Sequence, residues 1–386
     1  MPIVIGWLDA EGNEITPEIS EGGAWNSTNC LLQLTETMQE FVFKDVPDGA
    51  VLSFLRGFSA PVIVKSDYTE SELAHLIEAD TDAFARYEAA QTLAINVVLA
   101  AYEGQDTNSR SVYLAAISKC LSQELQDPAL LAELISVPSE IELGQKITEL
   151  DVERLHTARE ALLLEIASIN KEQLENLYED LKQSSYELSE EAKGKRRLRN
   201  KLLSYLALLK DGDERVKEHF QNADNMTDQI AALVEVSHSD FEFRDNIFTE
   251  FYNQWHDNEL VIDKWFAVQA QSKRSDALLL IEELSNHDDF SYANPNRLRS
   301  LVMSFSLLNQ RAFHAADGSG YKFLANVIAE VDKKNPQTAA KLVAPLGRWQ
   351  KMPKTNADLM KKYLKSLLKS STLSDDVREL CEKSVA

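Results

Sequence analysis

Residues 61–70 read PVIVKSDYTE, and within this stretch the spacing of apolar residues changes from a strand pattern to a helix pattern. On the N-terminal side, apolar and polar residues alternate, as in residues 32–35, and turn signals such as Pro47-Asp48-Gly49 separate the runs. Residues 61–64 are the last predicted strand. About five short strands predict a small Ig-like β-sandwich over residues 1–65, and this low number of strands indicates a truncated one.

From Ser66 onward, apolar residues recur at helical spacing. The spacing persists without interruption along residues 70–101. Asp127-Pro128 places a capping residue before a first-turn proline, and Asn225-Met226-Thr227-Asp228 is close to a capping box. No repeat of fixed length is visible, so residues 66–386 are predicted to form a large, irregular, armadillo-like array of helices. The predicted fold class is mainly α.

Composition and net charge argue against some classes of binding partner. A formal net charge of −22 argues against nucleic acid, because phosphate contacts require a basic surface. No run approaches the roughly 18 consecutive apolar residues of a membrane helix, so no membrane partner is expected. The three cysteines, Cys30, Cys120 and Cys381, are far apart and form no C-x-x-C pair. This pattern favours a reducing compartment, and we expect a cytoplasmic location.

The sequence lacks the short motifs that mark common catalytic sites. There is no H-E-x-x-H, no G-x-S-x-G, no P-loop and no G-x-G-x-x-G. The 7 histidines are scattered, and none has a second histidine four residues away. A catalytic zinc needs about three converging protein ligands. The residues alone therefore predict no catalytic residue, no metal site and no cofactor in this chain.

Three features each have two interpretations. The basic run 193–201 is either a nuclear-import or nucleic-acid signal, or a charged loop leading into the apolar helix that starts at Leu202. The aromatic group around Trp255 and Trp265 is either a ligand cage or core packing. The basic excess in residues 341–386 is either a local field for an anion or a solvated face. In each case the second interpretation is favoured.

Several sequence stretches are informative when they are taken together and in their order along the chain. They resemble the C-terminal region of bacterial-type aminopeptidase N, the alanyl aminopeptidases of the gluzincin zinc metallopeptidase family. The resemblance covers the whole chain and is carried by these stretches: FSAPV at 58–62, NMTD at 225–228, WH at 255–256, LVIDKWF at 260–266, NPNRLRSL at 294–301, FH at 313–314, DGSGY at 317–321 and NPQ at 335–337.

The resemblance implies an enzyme that removes N-terminal amino acids from peptides, with its chemistry located upstream of this region. In the family, an upstream catalytic domain holds the zinc, which polarises the scissile carbonyl and activates water. The zinc motif, the third glutamate ligand and the G-A-M-E-N motif are absent from this chain. The chain is therefore expected to be inactive alone. Its partners would be the upstream catalytic domain of the same polypeptide and the peptide substrates.

The resemblance also implies that the helical domain closes over the catalytic site and controls substrate access. The positions that match basic residues facing the family's substrate cavity are Arg299 and Lys341. At the second position the family often has arginine, so the lysine is a departure. An arginine can hold a carboxylate with two parallel hydrogen bonds, whereas a lysine supplies a flexible point charge. The alternative hypothesis is a stand-alone helical-repeat-like module that binds other proteins.

Overall fold

The strands lie in the first 54 residues, and the computed structural model describes residues 1–105 and 107–386. Strand β1 is central. It pairs antiparallel with β5 and β2 along one edge and with β7 along the other, while β4 extends the sheet beyond β5. Strands β3 and β6 form a separate pair. The bounds are β1 Pro2–Leu8, β2 Glu14–Ile15, β3 Glu18–Ile19, β4 Gly23–Asn26, β5 Asn29–Gln33, β6 Phe43–Lys44 and β7 Val51–Phe54.

Alternation along the strands gives the sheet one buried face. Ile3 and Ile5 of β1 and Cys30 and Leu32 of β5 are at most 5% exposed, and Leu55 joins them just after β7. Side chains two residues apart point to the same side of a strand, so these residues form one apolar layer. Exposed fractions this small place the core of the strand region on that face.

Helices occupy most of the chain from Glu70 onward. Their bounds are α1 Glu70–Ala79, α2 Ala83–Glu103, α3 Ser109–Ser122, α4 Pro128–Leu134, α5 Glu140–Gln145, α6 Val152–Ile169, α7 Lys171–Asp180, α8 Glu190–Leu206, α9 Gly212–Asn222, α10 Met226–His238, α11 Arg244–Trp255, α12 Glu259–Ala270, α13 Ala277–Leu284, α14 Pro295–Leu298, α15 Ser304–Leu308, α16 Gln310–Phe313, α17 Ser319–Asp332, α18 Pro336–Lys341, α19 Lys354–Leu368 and α20 Asp375–Val385. Three tighter or wider turns accompany them: 3₁₀ turns at Arg56–Phe58 and Leu346–Lys351, and a π-turn at Arg299–Met303.

Contacts divide the chain into two units. The first consists of Met1–Pro138 and Glu160–Leu209, and the second of Ser139–Arg159 and Lys210–Ala386. The strands and α1–α4, α7 and α8 belong to the first unit, and α5 and α9–α20 to the second. No helix in the described part of the chain is both long and apolar enough to cross a membrane.

The second unit contains an aromatic core. Phe305 and Phe313 are completely buried, and their ring centroids lie 5.7 Å apart at nearly a right angle. Phe313 also contacts the buried ring of Tyr321 at 5.3 Å. Gly320 is required beside this core, because a Cβ there would lie 2.4 Å from the carbonyl oxygen of Phe313.

The mainly-α fold class with a small N-terminal sheet is confirmed. The predicted boundary between residues 65 and 66 falls in the segment between β7 and α1 that contains neither strand nor α-helix, and it stays a prediction. One predicted strand is wrong: residues 61–64 belong to no strand, and Ile63 is 93% exposed. A strand needs a neighbour to pair with, which an apolar run alone does not reveal.

The helical spacing predicted along residues 70–101 belongs to two helices, because the chain breaks at Asp80–Asp82 between α1 and α2. Asp82 caps α2, its carboxylate accepting a hydrogen bond from the backbone N–H of Ala85 at 2.8 Å. Asp80 has extended backbone and ends α1. The apolar spacing continues through the break, so periodicity could not locate it.

The basic run 193–201 lies inside α8, not in a loop before a helix. Lys193 pairs with Glu190 at 2.7 Å and Lys195 with Glu191 at 2.6 Å, both at helical i,i+3 or i,i+4 spacing. These acidic residues precede the run and support the first turns of the helix. Lys193 and Lys195 therefore belong to ion pairs on a helix surface.

The aromatic group around Trp265 is core packing, as favoured from the sequence. Trp265 is 6% exposed and donates from Nε1 to the carbonyl oxygen of Phe248 at 3.1 Å. Its ring lies 5.0 Å from Phe266 and 5.3 Å from Tyr252. No open aromatic cage remains at Trp265, since its polar edge and both neighbours are used in packing.

Candidate functional site

Arg299 begins the π-turn that follows α14, and its side chain is exposed. Pro295 occupies the first turn of α14, and Asn294 caps it by accepting hydrogen bonds from backbone N–H groups. π-turns inside helices often occur at functional sites. In the part of the chain that the structure describes, no ion pair or side-chain hydrogen bond engages the Arg299 guanidinium.

Arg297, two residues earlier, fixes this segment from the inside. It is 5% exposed, donates to the carbonyl oxygens of Asp289 and Glu259 at 3.0 Å each, and forms an ion pair with Asp263. A buried guanidinium with several partners holds the backbone beside it in one position. The buried Arg297 is therefore structural, whereas Arg299 is free to meet a ligand.

Lys341 is the last residue of α18 and is also exposed. Asn335 caps this helix by accepting a hydrogen bond from the backbone N–H of Thr338 at 3.0 Å. Ala339 is completely buried and holds the helix against its neighbours. Lys341 has no ion pair among residues 1–105 and 107–386.

The structure does not bring Arg299 and Lys341 into contact. The π-turn that starts at Arg299 packs against α12 and α15, whereas α18 packs against α17 and α20. No hydrogen bond or ion pair between described residues joins the two side chains. They are two separate exposed cations of the second unit.

The chain lacks the family's zinc motif, and its second unit places one histidine beside a carboxylate. In the second unit, Nδ1 of His156 lies 2.7 Å from Oε1 of Glu140, which gives two ligand types of the right chemistry. Three converging protein ligands are needed. The second unit supplies these two, and the sequence contains no H-E-x-x-H that would add the paired histidines of the family's zinc motif. No step of zinc chemistry is therefore assigned to this chain.

One buried polar group was not expected from the sequence. His314, which is 7% exposed, has Nδ1 2.9 Å from the hydroxyl of Tyr321. Asn356 donates from Nδ2 to that hydroxyl at 2.9 Å and to the carbonyl oxygen of His314 at 2.8 Å. In the sequence, His314 stands seven residues before Tyr321 of the DGSGY stretch, and this closeness could have indicated their contact. Asn356 is 42 residues away from His314, so its contact has no local sequence signal.

His314 lines a cavity of about 320 Å³ in the second unit. Burial, with a contribution from the positive charge of Arg348, lowers the pKa of His314 to about 3. The imidazole is therefore neutral at ordinary pH. Arg348 also lines this cavity.

Two family models match the chain end to end. Residues 1–67 match a domain of unknown function described as having an Ig-like fold (DUF3458), and residues 70–386 match one described as ARM repeats (DUF3458_C). The chain belongs to this DUF3458 family. The predicted order, an Ig-like part followed by an armadillo-like array, agrees with both descriptions.

Three relatives of the DUF3458 chain are proteins named aminopeptidase N. The Escherichia coli K12 protein is 34% identical over 100% of this chain and 45% of its own length. The Caulobacter vibrioides protein is 36% identical over 95% and 43%, and the Haemophilus influenzae protein 32% identical over 100% and 44%. The chain spans less than half of the length of these curated relatives. It matches a C-terminal region of aminopeptidase N, which confirms the resemblance.

A solved structure agrees with the sequence relatives. Legionella pneumophila aminopeptidase A, in complex with aspartic acid, superposes with a TM-score of 0.84 and 28% sequence identity. The match covers 100% of this chain and 45% of the Legionella chain. A TM-score this high indicates that this chain shares its fold with the matched 45% of the Legionella chain.

Proposed function

We propose that this chain is the non-catalytic C-terminal portion of a zinc aminopeptidase that removes N-terminal amino acids from peptides. The observation that carries the proposal is the match, over 95–100% of the chain, to three aminopeptidase N proteins at 32–36% identity. The proposed partner is the catalytic domain of the same polypeptide, which would hold the zinc. Three buried free thiols, at Cys30, Cys120 and Cys381, support a cytoplasmic location.

The chain's own contribution, in this proposal, is to cap the catalytic site and control the access of peptides to it. A helical array can do this because its packed core gives a rigid wall, here built on buried aromatic residues such as Phe305 and Phe313. The wall needs side chains that recognise peptides without reacting with them. Exposed cations on short, capped helices meet that requirement.

We assign this recognition to Arg299 and Lys341. A peptide held by its N-terminus in the catalytic domain carries its negative charge at the distal carboxylate and its partial negative charges on backbone carbonyls. An exposed arginine without an intramolecular partner can contact a carboxylate with two hydrogen bonds, and a lysine can contact it as a point charge. Arg297 supports Arg299 by fixing its segment.

The proposal is tested in the intact enzyme with Arg299→Ala, Lys341→Ala and the double variant. The control is Lys369→Ala, which removes another exposed lysine of the same unit. We expect kcat/KM for tripeptides and longer peptides to fall about tenfold for Arg299→Ala, about 1.4 kcal/mol of transition-state binding, and less for Lys341→Ala. An alanyl chromogenic substrate, which has no distal carboxylate, should be unaffected. Unchanged kcat/KM for long peptides in the double variant would refute the assignment.

A further inference from the structure

The cavity beside His314 combines an apolar surface with several polar side chains, among which two are cationic. Its apolar lining includes Ile141, Leu150 and Met352, and its polar lining includes His314, Arg348 and Lys351. Its volume of about 320 Å³ lies in the range of small-molecule sites. All of these residues belong to the second unit.

Hydrogen bonds determine which nitrogen of His314 carries the proton. An amide nitrogen can only donate, so the hydroxyl of Tyr321 accepts from Nδ2 of Asn356 at 2.9 Å. A hydroxyl can accept two hydrogen bonds, but Tyr321 is completely buried and the described residues offer its own proton no other acceptor, so we assign that proton to Nδ1 of His314 at 2.9 Å. A neutral imidazole that accepts at Nδ1 carries its proton at Nε2. The orientation of Asn356 is fixed by its second bond, to the carbonyl oxygen of His314.

Nε2 of His314 is therefore a hydrogen-bond donor without a partner among the described residues. The side chain is more than nine-tenths buried, but Nε2 itself keeps some exposed surface. His314 lines the cavity, and its other nitrogen faces Tyr321. The remaining N–H is thus directed to the cavity, where only a ligand or water can accept its proton.

The charges around the cavity favour an anion. Arg348 is exposed and has no ion pair or side-chain hydrogen bond in the described part of the chain. Lys351 is held in place by donating to the carbonyl oxygen of Gln145 at 2.9 Å. The one carboxylate in the lining, Glu140, is engaged with His156 at 2.7 Å. Two cations and one neutral donor therefore face a cavity in a chain whose net charge is −22.

We propose that this cavity binds a small organic carboxylate with an apolar body. The carboxylate accepts hydrogen bonds from Nε2 of His314 and from the guanidinium of Arg348, and the body contacts Ile141, Leu150 and Met352. The site uses neither Arg299 nor Lys341, so it is independent of the proposed role in peptide access. A free short-chain acid and the C-terminal carboxylate of an apolar peptide present the same chemistry.

Met352 provides a local measurement, since it lines the cavity and is one of only 6 methionines. The 386-residue chain is labelled with ¹³C-methyl methionine, and the resonance of Met352 is assigned with Met352→Leu. Hexanoate represents the free acid and N-acetylleucine the peptide-like carboxylate. Hexylamine and 1-hexanol are the charge-reversed and neutral controls.

We expect a saturable shift of the Met352 methyl with hexanoate, with N-acetylleucine, or with both, and the stronger of the two identifies the source of the carboxylate. Arg348→Gln should weaken the binding at least tenfold, Arg348→Lys less, and the control Lys369→Gln not at all. His314→Phe should weaken binding similarly and provides a second test. The proposal is overturned if 1-hexanol binds as well as hexanoate, if Arg348→Gln has no effect, or if neither carboxylate shifts Met352.

Discussion

The guanidinium of Arg56 donates from Nη2 to Oδ1 of Asp80 at 2.9 Å, and both side chains are almost completely buried. Arg56 follows the last strand, and Asp80 ends the first helix. Arg56 also donates to Glu14 at 2.7 Å and to Ser53 at 2.8 Å. Gly6 makes room for the guanidinium, because a Cβ there would lie 2.2 Å from Cζ of Arg56. This one side chain connects the sheet of the first unit to its first helix.

We expect Arg56→Ala to destabilise the chain by about 3–5 kcal/mol, since it would leave the carboxylate of Asp80 buried without its counter-ion. Denaturant unfolding of the first unit, followed by tryptophan fluorescence, measures the loss. Lys44→Ala is the matched control, because it removes an exposed ion pair with Glu18 and should cost less than about 1 kcal/mol. Equal losses in the two variants would mean that the buried network contributes no more than a surface pair.

Gly320→Ala should destabilise the second unit by about 3 kcal/mol, because the added Cβ would lie 2.4 Å from the backbone of Phe313. The comparison is Gly194→Ala within α8, where the nearest atom would be 3.4 Å away. That change replaces a helical glycine without a clash and should stabilise by about 0.5–1 kcal/mol. Thermal unfolding measures whether each change lowers or raises the melting temperature. A Gly320→Ala protein as stable as the native chain would contradict the close contact between Gly320 and Phe313.

His314 should make the second unit less stable in mild acid. Its pKa is about 3 in the folded chain, below the ordinary 6.5, so the unfolded chain binds more protons between these two values. Stability is therefore complete above pH 6.5 and falls as the pH decreases toward 3, by up to about 1.4 kcal/mol per pH unit from this group.

The measurement is the unfolding free energy as a function of pH for the native chain and for His314→Gln, which cannot titrate. We expect the difference between the two curves to change between pH 6.5 and 3 and to be flat above pH 7. His256→Gln is the control, since His256 is exposed and its replacement should leave the slope unchanged. Protonation of His314 near pH 6 in a direct NMR titration would contradict the buried, neutral imidazole.

The chain alone should bind no stoichiometric zinc and should not hydrolyse an alanyl chromogenic substrate. The reason is that the zinc motif H-E-x-x-H and the family's third glutamate ligand are absent from the sequence. Metal analysis after dialysis against zinc, together with an activity assay, checks both expectations. The intact enzyme, with and without a chelator, is the positive control. One tightly bound zinc per chain together with turnover would refute the proposal that catalysis belongs to a separate catalytic domain.

Features that depend on neighbouring residues were predicted well. Asp127 and Asn225 are predicted as helix starts from the sequence, and each side chain accepts a hydrogen bond from the backbone N–H three residues later. Capping is a local interaction, so its residues stand together in the sequence. The basic run at 193–201 lies within a helix and not in a loop, because Glu190 and Glu191 begin the same helix and pair with Lys193 and Lys195.

The sequence by itself determined the division into a strand region and a helical region, and it determined helix starts. It also indicated the family, through sequence stretches that occur in the family's order. Local periodicity and capping are enough for these, since each involves residues a few positions apart. Only the tertiary structure decided that Arg56 meets Asp80, that the helix breaks at Asp80–Asp82, and that His314 meets Asn356. These contacts join residues that are 24 and 42 positions apart. Their existence depends on how the elements pack, which no local pattern encodes.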